Sequence, residues 1–252
     1  MLTQQTIEKL CDMKLTAMAD AFAEQLGQPN LGELSFEDRF AMMVDRQWNF
    51  KENRRMTRLL RAAKLKDSAC IENVDFKTPR ALDKSLVVRL SDSDWIKKAQ
   101  NAIIIGPTGV GKTYLACAIA NRACRNGFAA MYKRAPRLYQ EIAIARADGS
   151  YPKLMNKLAK IKVLIIDDFC IAPMSDPQRR DLLEVLEDRQ SLTSTIIATQ
   201  MPVETWIEHI GDPTLADAIL DRLVHNAHKI NLKGESMRKI HSSLTKSAAP
   251  GR

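Results

Sequence analysis

The chain has few cysteines, few aromatic residues and no long apolar run, and each shortage argues against a class of protein. Its five cysteines are an odd number and form no C-x-x-C pair, so neither a disulfide framework nor a zinc site is indicated. No apolar stretch approaches the roughly 18 residues of a membrane span, and polar side chains between Thr3 and Glu8 interrupt any secretory signal pattern. We therefore expect a cytoplasmic protein with reduced thiols and no membrane contact.

Acidic residues are outnumbered: 30 Asp and Glu stand against 38 Lys and Arg, which gives a net charge of +8 and a pI near 9.3. A surplus of this size favours a polyanionic partner, of which nucleic acid is the commonest. The apolar fraction of 45% is ordinary for a globular protein and supplies a sizeable core. At 252 residues the chain has room for one large domain, or for a medium domain and a small one.

A glycine-rich loop at residues 106–113 reads GPTGVGKT, which matches the pattern G-x-x-x-x-G-K-S/T at every fixed position. An apolar run enters the loop and a helical pattern leaves it, the strand–loop–helix context that phosphate binding needs. Lys112 can reach the β- and γ-phosphates of a nucleotide, and the Thr113 hydroxyl can bind Mg²⁺. The alternative is a glycine-rich turn that binds nothing. The predicted nucleotide-binding residues are Gly106, Pro107, Thr108, Gly109, Val110, Gly111, Lys112, Thr113 and Tyr114.

A second motif places acids at the end of an apolar run. Residues 162–168 read KVLIIDD, which is typical of a buried parallel strand with carboxylates at the ligand-binding edge of an α/β sheet. We expect Asp167 to hold Mg²⁺ through water and Asp168 to orient or deprotonate an attacking water. Gln200 ends the next apolar run and is expected at the same edge. The alternative for the two acids is helix capping or a turn.

Apolar runs and helical patterns alternate from residue 101 onwards, which predicts an α/β fold with a parallel, doubly wound sheet. The expected strands cover residues 101–105, 128–132, 162–168, 194–199 and 227–232. The expected helices in this part cover about 115–123, 136–146, 178–189, 203–209 and 214–225. Before residue 70 the pattern is helical, with one stretch ending near Gly27 and Pro29 and a second beginning at Ser35.

Two stretches concentrate basic side chains. The first lies between residues 46 and 66 on one face of a predicted helix, and the second lies between 133 and 162. We expect the first stretch to contact phosphates of DNA or RNA and the second to contact DNA, with little base stacking in the first because few aromatic residues are interleaved. The alternative is that each is the solvated face of an amphipathic helix. The predicted DNA-binding residues are Lys51, Arg54, Arg55, Arg58, Arg61, Arg134, Arg137, Lys153 and Lys157.

The order of these motifs resembles that of the AAA+ ATPases. Within them, the chain is similar to the IstB family of insertion-sequence ATPases, which is related to the DnaC-type helicase loaders. The resemblance rests on GPTGVGKTYLA at 106–116, VLIIDDF at 163–169, STIIATQMPVETW at 194–206, DAILDRL at 217–223 and SMRK at 236–239. It implies an AAA+ P-loop fold with a five-stranded parallel sheet and ATP and Mg²⁺ as cofactors. The sequence departs from the family after Leu232, where about twenty residues remain, so we expect the usual C-terminal lid to be nearly absent. The implied domains are a helical DNA- or partner-binding domain at 1–68, an ATPase domain at 69–240 and a disordered tail at 241–252.

The resemblance also implies roles for single residues. Asp167 is the acid on the magnesium side, and Asp168 stands where many AAA+ proteins have Glu. Gln200 takes the first sensor position, Arg222 matches the arginine finger that acts on a neighbouring subunit's ATP, and Arg238 matches the second sensor. Because Asp168 is shorter than Glu and Gln200 is longer than the commoner Asn, we expect hydrolysis that is slow or stimulated by DNA or a partner. The residues expected to take part in hydrolysis are Lys112, Asp168, Gln200 and Arg222.

The function that the resemblance implies is ATP-dependent assembly on duplex DNA. The homo-oligomer would hold ATP between subunits, select or remodel target DNA, and stimulate a partner transposase of the IstA type. Three alternatives remain open from the sequence. They are a DnaC-type helicase loader, a nucleotide-dependent scaffold with little turnover, and a P-loop kinase, which needs an acceptor pocket and usually a mobile lid over the phosphates.

Overall fold

The computed structural model describes residues 2–28 and 34–240, and the chain divides into two compact units between Arg58 and Leu59. The sequence placed a domain boundary near residue 68, and that assignment stays a prediction. The predicted helix end near Pro29 and the predicted disordered tail at 241–252 lie outside the described residues. Among the described helices, none is both long enough and apolar enough to cross a bilayer.

Over residues 2–28 and 34–63, the N-terminal part that the structure describes, the chain forms three helices. They are α1 (Leu2–Asp12), α2 (Thr16–Leu26) and α3 (Phe36–Ala63). The sequence predicted one helical stretch where α1 and α2 lie, but Lys14 between them adopts a left-handed backbone with φ 59°, which ends α1. The predicted start at Ser35 is confirmed, since its hydroxyl accepts a hydrogen bond from the Asp38 main-chain N–H at 3.1 Å.

The second unit is built on a five-stranded sheet in which every pairing is parallel. Its strands are β1 (Asn101–Ile105), β2 (Ala130–Arg134), β3 (Val163–Phe169), β4 (Ser194–Thr199) and β5 (Ala227–Asn231). The strand order is β2-β3-β4-β1-β5, which confirms the predicted parallel α/β fold. Strands β3 and β4 are almost fully buried, which explains why both read as continuous apolar runs.

Helices cover both faces of the sheet. They are α4 (Lys84–Ser91), α5 (Asp94–Lys97), α6 (Lys112–Arg125), α7 (Ala135–Asp148), α8 (Tyr151–Lys160), α9 (Asp176–Arg189), α10 (Trp206–Ile210), α11 (Pro213–Val224) and α12 (Met237–Ile240). One apolar cluster centres on α6, and the other lies among α7, α8, α9 and α11. The sequence did not predict α4, α5 and α8. The helix predicted at 203–209 begins as a 3₁₀ turn, Val203–Thr205, before α10.

The two edges of the sheet have different chemistry. At the carboxyl edge, where the strands end, lie the glycine loop after β1 and the acids of β3. At the amino edge, where the strands begin, the Asn101 side chain joins three elements. Its Nδ2 donates to the Arg222 main-chain oxygen at 2.8 Å, and its Oδ1 accepts from the Thr195 N–H at 2.9 Å. These bonds fix the end of α11 at the edge opposite the glycine loop.

Candidate functional site

The glycine loop joins β1 to α6, and three of its glycines are needed for local reasons. Gly109 and Gly111 have φ values of 83° and 102°, in the left-handed region that other residues adopt only under strain. A β-carbon on Gly106 would lie 2.7 Å from the main-chain oxygen of Leu232, just after β5. The loop therefore turns tightly into the N-terminus of α6, where main-chain N–H groups without intrahelical partners can bind an anion.

Lys112, the first residue of α6, carries a buried ammonium group. The residue is 8% exposed, and its Nζ donates to the Pro107 main-chain oxygen at 2.9 Å. Burial lowers the pKa of Lys112, while the nearby charges of Asp167 and Asp168 act in the opposite direction. Among the described residues, no carboxylate lies within 4 Å of this nitrogen. A cation so placed can bind a polyphosphate without first breaking an ion pair.

Asp167 is 1% exposed, and both of its oxygens accept hydrogen bonds. Oδ2 accepts from the Thr113 hydroxyl at 2.8 Å and from the Tyr132 hydroxyl at 2.7 Å, while Oδ1 accepts from the Asp168 N–H at 3.0 Å. The sequence predicted Thr113 and Asp167 as magnesium-side residues, and the structure brings them together. A hydroxyl and an orientated carboxylate are oxygen ligands of the kind Mg²⁺ takes, directly or through water.

Tyr132, on β2, is a site residue that sequence reasoning missed. Burial and the Asp167 carboxylate both raise the pKa of its phenol, which keeps the hydroxyl protonated as a hydrogen-bond donor. Only the alignment of β2 with β3 reveals it. In that alignment Tyr132 pairs with Ile165, which lies two positions before Asp167 in the sequence. That alignment is a long-range contact and is not readable from local spacing.

The backbone of Asp168 departs from regular strand geometry. Its φ of 56° is left-handed, and the pairing of β3 with β4 is irregular between Ile166 and Phe169. The carboxylate accepts from Arg134 Nε at 2.7 Å, and this pairing raises the pKa of the Arg134 guanidinium. The sequence assigned Arg134 to DNA contact. In this structure the side chain is held at the carboxyl edge by the acid that was predicted to activate water.

Gln200 follows β4 at the same edge. Its Oε1 accepts from the Thr108 hydroxyl of the glycine loop at 2.6 Å. The preceding Thr199 donates to the Phe169 main-chain oxygen at 2.7 Å and so ties the ends of β3 and β4 together. The structure thus brings Gln200 to the loop, as its predicted position after a parallel strand required.

A cavity of about 510 Å³ opens beside the loop. It is lined by Lys66, Asp67, Asn73, Asp75, Arg80, Thr108, Gly109, Gly111, Lys112, Thr113, Tyr114, Asp168, Gln200, Met237 and Arg238. Its size and mixed lining suit a nucleotide-sized ligand. Sequence reasoning did not identify the five residues between Lys66 and Arg80, because no motif joins that segment to the loop.

The segment after β5 closes over the loop. The Met237 N–H donates to the Gly109 main-chain oxygen at 2.9 Å, and a β-carbon on Gly109 would collide with the Ser236 side chain. This packing places Arg238 in the lining of the cavity, where its charge helps to lower the pKa of Lys112. The predicted second sensor residue therefore lies next to the predicted loop, although its role stays a prediction.

Arg222 lies elsewhere. It lies in the last turn of α11 at the amino edge of the sheet, and it is not among the described residues that line the cavity. Its side chain donates to the Ala218 main-chain oxygen and to Glu187 Oε1, each at 2.8 Å. The structure therefore does not bring Arg222 to this chain's own loop, a position that agrees with action on another copy.

The predicted DNA-binding residues fall on two surfaces. Lys51, Arg54, Arg55, Arg58 and Arg61 are exposed on α3, while Arg137 is exposed on α7, and Lys153 and Lys157 are exposed on α8. On α8, Met155 and Leu158 turn into the core. Two other basic residues of the second stretch are engaged within the chain, since Lys133 pairs with Glu141 and Arg146 pairs with Asp181.

Taken together, the carboxyl edge fits a magnesium nucleotide. The glycine turn, the start of α6 and the buried Lys112 ammonium suit the negative charge of a polyphosphate. Thr113 and Asp167 supply oxygen ligands for a hard divalent cation. Asp168 and Gln200 lie at the same edge and could position a water near the terminal phosphate. The described residues hold no cluster of three or more His, Cys, Asp or Glu that could bind a metal through those side chains alone.

Comparison with known proteins agrees with this site. A family model described as "IstB-like ATP binding protein" matches residues 8–245. An insertion sequence ATP-binding protein of Sinorhizobium fredii (strain NBRC 101917 / NGR234) is 46% identical over 239 residues, 95% of this chain and 98% of that protein. The IS1162 ATP-binding protein of Pseudomonas fluorescens is 43% identical over 206 residues, 81% of this chain and 89% of that protein.

Among solved structures, the crystal structure of DnaI is similar in fold to this chain. The TM-score is 0.57 at 21% sequence identity. The match covers 70% of this chain and 93% of the DnaI chain. The resemblance predicted from the order of the motifs is confirmed by the family match. This chain belongs to the family of IstB-like ATP-binding proteins.

Proposed function

We propose that this chain is a magnesium-dependent ATPase that assembles on duplex DNA and stimulates the transposase of an insertion sequence. The observation that carries the proposal is the arrangement of Lys112, Thr113 and Asp167 around the glycine loop, in a chain of the IstB-like family. The names of the relatives, which are insertion sequence ATP-binding proteins, support the link with transposition.

Hydrolysis is supported by two polar side chains near the loop. Asp168 and Gln200 both line the cavity that holds Lys112. The terminal phosphate of ATP would lie near Lys112, and a water activated by Asp168 would attack it. Arg134 occupies Oδ2 of Asp168 in the single chain, so a water that gives its proton to that oxygen would have to displace the guanidinium.

Assembly is supported by the position of Arg222. A residue at the amino edge cannot contact the γ-phosphate in its own chain, but it can do so in a neighbour that stacks this edge against its own loop. ATP at such a junction binds two subunits at once, so bound ATP favours the assembled state. Loss of the γ-phosphate removes contacts that hold the junction.

DNA contact is supported by exposed basic side chains on two helices. Lys153 and Lys157 lie four residues apart on the solvent side of α8, and α3 carries Arg54 and Arg58 with the same spacing. Rows of this kind follow a phosphate backbone and release counterions, which gives affinity with little sequence preference.

The test combines sedimentation with DNA binding. Wild-type protein with ATP analogue, Mg²⁺ and a fluorescent duplex should form a large DNA-bound assembly, which Lys112→Ala should lose. Lys97→Ala removes an exposed lysine of α5 and serves as the control that keeps assembly. ATP-independent DNA binding by the wild type, or full assembly of Lys112→Ala, would refute the proposal. Strand transfer by the partner transposase, with and without this protein, then separates a transposition ATPase from a helicase loader.

A further inference from the structure

Besides Lys112, the nucleotide cavity contains a second buried cation, which no sequence motif predicted. Arg80 is 4% exposed and lines the same cavity as Lys112 and Thr113. Its Nη1 donates to the Val110 main-chain oxygen of the glycine loop at 3.1 Å, and its Nη2 donates to the Asp75 main-chain oxygen at 2.6 Å. Its Nε is buried and has no hydrogen-bond partner among the described residues.

The guanidinium lies directly against the loop. A β-carbon on Gly111, the residue before Lys112, would be 2.7 Å from Arg80 Nη1, so the missing side chain is what lets the cation approach. The backbone of Arg80 is held as well, since its main-chain oxygen accepts from the Lys233 N–H at 2.9 Å. The position of the charge is therefore fixed from both sides before any ligand binds.

The positive charge of Arg80 has no full compensation. Two carbonyl oxygens satisfy two of its nitrogens, but a carbonyl carries only a partial charge, and no carboxylate among the described residues lies within 4 Å. Burial lowers the pKa of the group while the nearby charge of Asp75 acts in the opposite direction, and an arginine stays protonated in a protein. A desolvated cation at the wall of a cavity favours an anionic ligand.

A second buried arginine shows what a purely structural guanidinium looks like. Arg189, at the amino edge, is 2% exposed and donates through all three nitrogens, among them Nε to Thr195 Oγ1 at 3.2 Å and Nη1 to the Ile161 main-chain oxygen at 2.9 Å. Arg80 differs chiefly in its place beside the glycine loop, since an unpartnered Nε also occurs at Arg39, Arg122, Arg179 and Arg222.

We infer that Arg80 is a positioning residue of the nucleotide site, which holds the glycine loop through Val110 and adds a fixed positive charge that strengthens binding of the polyphosphate. The inference deepens the proposed function and rests on its nucleotide site. Arg80 would act with Lys112, and its contribution should grow with the negative charge of the ligand.

Two substitutions separate charge from hydrogen bonding. Arg80→Gln can still donate to a carbonyl but is neutral, and Arg80→Lys keeps the charge but loses the paired donors. Binding of ATP, ADP and inorganic triphosphate is measured by calorimetry, with thermal unfolding as the check on folding. Arg89→Gln, at an exposed arginine of α4, is the control that removes the same net charge.

Arg80→Gln should weaken ATP binding by roughly 10–100-fold, the range for a lost interaction with a charged group. The loss should be larger for ATP and triphosphate than for ADP, whereas Arg80→Lys should keep the preference for ATP over ADP. Arg89→Gln should bind all three ligands as the wild type does.

Wild-type affinity in Arg80→Gln, or equal losses in both variants for every ligand, would overturn the inference. If both variants fail to fold, the Arg80 guanidinium is required for folding and the inference is rejected. The experiment needs only equilibrium binding. A wild-type protein that binds ATP but does not assemble on DNA would therefore refute the proposed function and leave the role of Arg80 to be decided by these variants.

Discussion

Replacing Tyr132 with Phe removes one hydroxyl and leaves the ring in place, which isolates a single hydrogen bond to the buried Asp167 carboxylate. That bond is 2.7 Å long, and the acceptor is 1% exposed. A hydrogen bond to a charged group contributes about 1.5–3 kcal/mol to stability. For a protein of this size about 1 kcal/mol moves the melting temperature by roughly 2–4 °C. Tyr132→Phe should therefore lower it by roughly 3–12 °C.

A matched control exists in the same unit. The Tyr139 hydroxyl is also buried, but its partner is the Met174 sulfur at 3.7 Å, a weak and neutral acceptor. Tyr139→Phe should lower the free energy of unfolding by less than about 1 kcal/mol, because it breaks no bond to an ion. Both variants are compared with the wild type by thermal and urea unfolding.

The same substitution should change how Mg²⁺ affects nucleotide binding. Without its Tyr132 partner, Asp167 retains the Thr113 hydroxyl and the Asp168 N–H and is less firmly orientated. The gain in ATP affinity on adding Mg²⁺ should be smaller in Tyr132→Phe, while ATP affinity in EDTA should match the wild type. Equal destabilisation by Tyr132→Phe and Tyr139→Phe, with an unchanged magnesium effect, would refute the reasoning.

Two further predictions concern stability. The Asp181 side chain is 6% exposed and accepts hydrogen bonds from Arg146 at 2.6 and 3.0 Å, so Asp181→Asn should reduce the free energy of unfolding by about 1–3 kcal/mol. Asp94→Asn, at an exposed ion pair, should reduce it by less than about 1 kcal/mol. Equal urea midpoints for the two variants would contradict this prediction. Burial raises the pKa of Tyr139 and, to about 12, that of Cys170. The pKa values of these two groups are higher in the folded state than in the unfolded state. The stability that the neutral groups contribute is therefore complete below about pH 8 and is lost as pH rises beyond about 9. The loss should reach up to about 1.4 kcal/mol per pH unit for each group. Urea midpoints that stay constant from pH 8 to 11 would show that these groups are not shifted.

The parts of the site that the sequence predicted are those encoded by local spacing. The glycine loop requires a strand before it and a helix after it, and all three are contiguous from Asn101 to Arg125. Asp167 and Gln200 were placed correctly because each follows an apolar run, and parallel strands end at one edge. Alternation of strands and helices also gave the fold, since it leaves few other topologies.

The parts that the sequence did not reveal depend on contacts between distant segments. Arg80 reaches Val110 across 30 positions and Tyr132 reaches Asp167 across 35, so neither leaves a local pattern. The break between α1 and α2 at Lys14 carries no Gly or Pro, which are the residues that announce such a turn. Helix α8 was read only as a basic stretch, although Met155 and Leu158 mark its buried side.

Under the proposed function, two ion pairs constrain the single chain. Arg134 pairs with Asp168, and Glu187 pairs with Arg222, so the acid assigned to water activation and the arginine assigned to a neighbouring site are both engaged internally. In each pair one side chain is exposed and the other is partly buried, at 55% and 24% for Arg134 and Asp168 and at 59% and 18% for Glu187 and Arg222, so opening either pair costs on the order of 1–3 kcal/mol. ATP at a subunit junction carries more negative charge than the Glu187 carboxylate it would displace, and DNA phosphates near Arg134 would give its guanidinium an alternative anionic partner. Exchange of partners at these two pairs would then favour turnover in the assembled, DNA-bound state, without a large rearrangement of the sheet.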